Sequence, residues 1–210
     1  MTTAKDTFDK QVRTVGQFIQ IHKKLRGDDR GRRYNQEALN QASIVMIVAA
    51  WQAYIEELLE NCLDKIKLSY NISSKIDQNL ITFELLRNQF DQQIRKFNTP
   101  NCENVQKLFR DTIGFDPFTC WEYRCGPRQW DFKETRERTN LWVKIRHQIA
   151  HGSEIELGHQ NYKDHWLVDK NRKPRLILKS TEEVIRHFTH LVKRMEEEVP
   201  KFLKDKYRIE

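Results

Sequence analysis

The residues best equipped for chemistry stand together at Arg146-His147-Gln148-Ile149-Ala150-His151-Gly152. Arginine is a permanent cation, and imidazole titrates close to working pH, with a reference pKa of about 6.5. In RNA, a base that removes the 2′-hydroxyl proton lets that oxygen attack the adjacent phosphorus. A fixed cation then stabilises the developing negative charge. His151 is the candidate acid or base, and Arg146 the candidate clamp, because guanidinium offers paired donors to phosphate oxygens. His147, one turn before His151, is placed to orient it or to hold phosphate. His147 and His151 also have the i, i+4 spacing of a two-histidine metal site, but the glutamate of a zinc-protease motif is missing. No metal or other cofactor is therefore expected.

The motif needs a helix to position it, and the sequence supplies one from roughly Lys133 to Ala150, stopped by Gly152. At about 100° per residue, with Ile145 at the centre of the apolar face, Leu141, Trp142, Gln148 and Ile149 fall within about 60° of it. Arg146 then lies near 100°, His147 near 200° and His151 near 240°, all off the core stripe. Val143 and Ala150 share the outward face, which fits a face covered by a second copy of the chain. Arg146 and His151 are about 140° apart in a regular helix. They converge if the helix frays at Gly152, if the long arginine reaches around, or if partners from two chains share one cleft.

The other elements form a helical frame. Only 7 glycines and 5 prolines occur in 210 residues, and Leu, Ile, Glu, Lys and Arg abound, so an all-α single domain over residues 1–210 is expected. A first helix covers Asp6 to Leu25, with Phe8, Val12, Val15, Ile19 and Ile21 or His22 on its inner face. A second covers Gln36 to Lys67 and is apolar nearly all round at its middle, which marks the buried centre of a bundle. A third starts near Ser73 or Ser74, carries Ile76, Leu80, Phe83, Leu86, Phe90, Ile94 and Phe97, and stops at Asn98-Thr-Pro100. A short helix follows from Asn101 to Ile113, closed by Gly114. The last opens at Ser180 or Thr181, carries Val184, Ile185, Phe188, Leu191, Val192 and Met195, and is bent or ended by Pro200. The reading is thus an up-and-down bundle of five to six helices. A small β-hairpin is expected in the C-terminal third, pairing His165-Trp-Leu-Val with Arg175-Leu-Ile-Leu.

A net charge of +7 favours a polyanionic partner without specifying nucleic acid. Candidate RNA contacts are Lys144 on the motif helix, Arg124 and Arg128 among the aromatics of Phe115 to Phe132, and Lys170, Arg172 and Lys173 in a charged turn. Base stacking on the aromatic segment competes with a loop packed down by its own rings. The charged turn competes with simple solvation. Arg26 to Arg33 reads as a solvated connector, and the Arg186, His187, His190 group, lacking a glycine stop, reads as surface. The four cysteines include one close pair, Cys120 and Cys125, with no second pair for a zinc ribbon. A polar start without a secretory leader suggests a cytoplasmic chain with reduced thiols. The apolar run Ile44 to Ile55 is shorter than the ~20 residues of a membrane span, so no membrane partner is expected.

With these residues in place, the chain resembles the HEPN superfamily, whose motif is an Arg, four to six residues and a His, with a polar residue after the Arg. Here these are Arg146, His147 and His151, and Ile149-Ala-His-Gly152 matches the usual ending. The long helix from Ile44 to Leu59 and the aromatic insertion before the motif are similar to the bacterial RiboL-PSP type. The resemblance implies an all-α bundle, a homodimer with both motifs in one cleft, and metal-independent endoribonuclease activity on RNA. It also implies a role as a toxin or phage-defence effector, with an antitoxin or defence-system partner protein. The alternative is a non-catalytic module of the same kind that binds RNA or protein through its dimer face. Ser153 stands where toxins silenced by a nucleotidyltransferase carry a Tyr, and Gln52 where the central helix often has an acidic residue.

Overall fold

The computed structural model describes residues 3–24, 36–72, 77–125, 128–156 and 175–209. Among them are seven helices: α1 Ala4–Lys24, α2 Glu37–Ile72, α3 Asp77–Arg95, α4 Cys102–Thr112, α5 Phe118–Trp121, α6 Phe132–Ala150 and α7 Leu178–Tyr207. Strands β1 Tyr123–Cys125 and β2 Arg128–Trp130 pair antiparallel between α5 and α6, with Arg124 opposite Gln129. The fold is an all-α helical bundle. It separates into two compact units, Met1–Trp51 with Glu137–His190 and Gln52–Arg136 with Leu191–Glu210, so α2, α6 and α7 each supply residues to both.

Short polar side chains start the helices. At α1, Thr3 Oγ1 accepts from the Asp6 amide at 3.1 Å, and Asp6 Oδ2 accepts from the Thr3 amide at 3.0 Å. This reciprocal box satisfies two amides that the helix cannot. The bond from the Thr3 backbone is the main reason that the Asp6 carboxyl titrates below its ordinary range. Asn101 caps α4 through the Asn104 amide at 2.8 Å, and Asp131 caps α6 through the Glu134 amide at 2.7 Å.

The core of the first unit gathers Phe8 and Val15 of α1, Ile44, Val48 and Trp51 of α2, Trp142 and Ile145 of α6, and Val184 and Phe188 of α7. Truncating any one of its large aromatic residues would cost about 3–5 kcal/mol. α1 turns His22 inward and leaves Ile21 43% exposed. The buried Asn40 amide donates to the Leu176 carbonyl at 3.1 Å and accepts from the Thr181 hydroxyl at 3.3 Å, so its desolvation is compensated. His187, expected at the surface, is 4% exposed and its Nε2 shares a 2.8 Å hydrogen bond with Thr139 Oγ1. Burial, with Arg138 and His190 adding to it, pushes its pKa down to about 3.

In the second unit, α2 contributes Tyr54, Ile55, Leu59, Leu63 and Ile66, α4 contributes Val105 and Phe109, and α7 contributes Leu191, Met195 and Leu203. Burial drives the Tyr54 phenol pKa far up, and its hydroxyl donates to Glu196 Oε1 at 2.8 Å. α2 is longer and more continuously apolar than the run Ile44 to Ile55 suggests. By length and composition it could cross a membrane, yet half of its most apolar stretch is packed inside the protein.

Three expectations change, while the reading of Phe115 to Phe132 as a segment packed down by its own rings holds. α7 passes Pro200 and ends only at Tyr207. The proline costs about 3 kcal/mol. Beyond it Leu203 is buried, Phe202 lies 5.0 Å from the Phe115 ring, and the Tyr207 hydroxyl donates to the Ile113 carbonyl at 2.8 Å. The expected start of α3 near Ser73 or Ser74 lies outside the described residues, and from Asp77 its ladder is incompletely covered: Phe83, Ile94 and Phe97 are buried, while Leu86 is 41% exposed. Phe115 to Phe132 holds a helical turn and the hairpin, and its rings pack on each other. Phe118 lies 4.1 Å and Trp121 5.6 Å from Phe132, and Arg110 sits over Phe118 at 5.4 Å. The hairpin expected in the C-terminal third is not formed by its second half, since Leu178 already opens α7; His165 to Val168 lies outside the described residues, as does the connector Arg26 to Arg33.

Between pH 6.5 and about 3 the unfolded chain binds a proton at His187 that the folded chain refuses. Stability supplied by neutral His187 is complete above pH 6.5 and is lost as pH falls toward 3. His187→Gln keeps a donor and acceptor for Thr139 but cannot titrate. Its urea-unfolding free energy should fall less steeply than that of the parent over this window, the parent's extra slope approaching ~1.4 kcal/mol per pH unit. Parallel curves would show that His187 is not held neutral.

Candidate functional site at the end of helix α6

The end of α6 is built by its own hydrogen bonds. The His151 amide bonds the His147 carbonyl at 3.1 Å, Gly152 bonds Ile149 at 3.2 Å, and Ser153 bonds Gln148 at 2.9 Å. The last two are the 5→2 and 6→1 bonds of a Schellman stop, with Gly152 at φ +65° in the left-handed position. His151 is the C-cap. The helix therefore keeps its register through His151 and does not fray before Gly152.

This register decides what meets what. His147 and His151 stack one turn apart, with ring centroids 4.2 Å apart and planes at 53°. Both are exposed, and Arg146 is half-buried. Within one chain Arg146 stays about 140° around the helix from His151, and fraying does not shorten that path. The Arg146 Nε is buried with no hydrogen-bond partner, and no ion pair is formed by this guanidinium among the described residues. A guanidinium without a carboxylate partner keeps its charge available for an anion. Other arginines are committed: Arg136 to Glu103 at 2.5 Å, Arg87 to Asp64 and Asp91 at 2.8 Å each, and Arg194 to Glu197 at 2.7 Å.

The inward face of α6 is wider than the helical wheel implies. Leu141, Trp142, Ile145 and Gln148 are buried as expected, but so are Thr135, Thr139 and Val143. Val143 is 5% exposed and belongs to the core of its own chain, so it is no longer an apolar residue awaiting a partner. Ala150 remains exposed beside the two histidines. The Gln148 side-chain Oε1 is buried and unpaired among the described residues.

The remaining candidates divide. Lys144 is exposed and lies 4.0 Å from the Glu156 carboxylate, a surface pair of little energetic weight. Arg124 and Arg128 are placed by their backbones in the hairpin, and their side chains are outside the described set, as are Lys170, Arg172 and Lys173 entirely. Gln52 is engaged: its amide donates to the Phe97 carbonyl at 2.8 Å and to Glu56 Oε1 at 2.9 Å. Burial raises the Glu56 pKa, although the Gln52 bond opposes this. Among the described residues no three His, Cys, Asp or Glu side chains gather as metal ligands, and Cys62, Cys102 and Cys120 are buried and in no disulfide. The inward placement of His187 was missed, although its spacing from Val184 and Leu191 follows the apolar stripe of α7.

A family model described as RiboL-PSP-HEPN matches residues 17–199, a span that contains the whole of α6 and its stop. No curated protein and no solved structure matches the chain.

A Cβ on Gly152 would meet nothing within 4 Å, so only its positive φ opposes substitution. Gly152→Ala should therefore destabilise the chain by about 1 kcal/mol, and Gly152→Asn by less, since asparagine tolerates this conformation. Equal stability of all three in chemical denaturation would contradict the Schellman assignment.

Proposed function

The chain belongs to the RiboL-PSP-HEPN family, and from that premise we propose that it is a metal-independent endoribonuclease with a site composed by two copies. The observation that carries the reading is the uncommitted Arg146 guanidinium on the same helix end as the exposed His147–His151 pair. The unbroken register of α6 supports a composite site. It keeps Arg146 away from His151 of its own chain, whereas a two-fold arrangement sets one copy's arginine beside the other copy's histidine.

In this scheme His151 takes the 2′-hydroxyl proton and the 2′-oxygen attacks the adjacent phosphorus. Arg146 of the partner subunit donates to the non-bridging oxygens as their charge grows, and His151 passes the proton it took to the departing 5′-oxygen. The products are a 2′,3′-cyclic phosphate and a 5′-hydroxyl, so bonds and protons balance without water or metal. His147, in ring contact with His151, holds the imidazole in place. We likewise propose a toxin or phage-defence role with a restraining partner protein, a reading that family membership supports and that fits an activity a cell must control. The second reading, a non-catalytic RNA- or protein-binding module, is favoured by the same separation of Arg146 from His151 if the chain acts as a monomer.

Purified protein incubated with labelled transfer RNA and total RNA should cleave both with and without EDTA. Arg146→Ala and His151→Ala should each lower cleavage by at least about 100-fold with the helical circular dichroism unchanged. Undiminished cleavage by the double variant would sink the proposal, and RNA bound but left intact by the parent would establish the second reading.

A further inference from the structure

The end of α3 and one face of α4 line an open groove of about 370 Å³. Its floor is apolar, with Phe97 8% and Leu108 7% exposed, and its walls carry Lys96, Asn98, Lys107 and Asp111. The size suits one small molecule.

Charge sets this groove apart from its surroundings. Arg87 pairs with Asp64 and Asp91, Arg110 with Asp116, and Arg136 with Glu103. The ammonium groups of Lys96 and Lys107 make no ion pair or hydrogen bond among the described residues, although both line a wall with Asp111. Asn98 uses only its carbonyl oxygen, which accepts from Thr99 Oγ1 at 3.1 Å, leaving its amide N–H groups available. The two ammonium groups can donate to separate oxygens of one phosphate monoester, which offers three acceptor oxygens and about −1.5 to −2 charges at neutral pH, while Asp111 lowers the net charge of the lining. Asp111 repels a bare anion but accepts from a hydroxyl, so the ligand must carry a donor beside its phosphate.

We propose that this groove binds a phosphate monoester with a hydroxyl-bearing body, either a free sugar phosphate or the phosphorylated end of an RNA. Lys96 and Lys107 hold the phosphate, Asp111 accepts from a hydroxyl, and Phe97 with Leu108 floors the body. The site is separate from the proposed nuclease chemistry, whose cyclic-phosphate and 5′-hydroxyl products carry no monoester. Its occupancy would report a different phosphorylated species.

Titration calorimetry of the full chain tests this with ribose 5-phosphate, ribose, inorganic phosphate, and a short RNA with or without a 5′-phosphate. Ribose 5-phosphate should bind at least about tenfold more tightly than ribose or inorganic phosphate. Lys96→Gln and Lys107→Gln, both exposed positions, should each weaken it by about fivefold or more, and the double variant should abolish it. Lys201→Gln, outside the groove, should change nothing, and His151→Ala should bind as the parent does, so the outcome is independent of the nuclease reading. Preference for the 5′-phosphorylated RNA over its 5′-hydroxyl form would name an RNA end as the source, and binding of ribose 5-phosphate alone would name a free metabolite. No saturation by ribose 5-phosphate or 5′-phosphorylated RNA on the order of ten millimolar, or binding that survives the double lysine variant, would overturn the proposal.

Discussion

The uninterrupted register of α6 is the constraint on which the functional account depends. Its amide ladder runs into a Schellman stop, and so it fixes the angles at which Arg146, His147 and His151 leave the helix. Two side chains one turn apart meet, and the histidines do so at 4.2 Å. Two side chains five positions apart do not share a face. A chemistry that requires arginine and histidine at one phosphate therefore needs either a second chain or a long reach by Arg146.

The core supports this constraint from behind. Trp142 and Ile145 are fully buried, and the Thr139–His187 hydrogen bond ties α6 to α7 within the first unit. An anchored inner face leaves the outer face little freedom to rotate. Preorganisation of this kind is what a cation must have if it is to stabilise a transition state without reorganising first. Arg146 has its inner nitrogen buried, which restricts its stem, while its charge is spent on no carboxylate of the described chain.

Much of this was legible in the residues. The helix order, the buried middle of α2 and the glycine stops at Gly114 and Gly152 follow from periodicity and from which residues tolerate positive φ. The misreadings share one physical cause, which is that tertiary packing overrides local rules. Pro200 ends a helix in isolation, but the packing of Phe202, Leu203 and Tyr207 carries α7 across it. Val143 looks outward on a wheel centred on Ile145, yet the inner arc of α6 is broad enough to cover it. His187 looks like a surface histidine until Thr139 is known to face it. The groove between α3 and α4 is less legible still, because the absence of partners for Lys96 and Lys107 is a property of the fold and not of any motif.

The central claim, that two chains compose the site, is tested most directly by mixing two inactive variants. Arg146→Ala and His151→Ala, each purified, are combined in equal amounts, allowed to exchange subunits, and assayed for RNA cleavage beside the unmixed proteins. Half of the dimers are then mixed, and one of the two sites in each carries an intact arginine and an intact histidine. Recovery to about a quarter of the parent rate is the predicted result. Demonstrated subunit exchange with no recovery of cleavage would contradict the account.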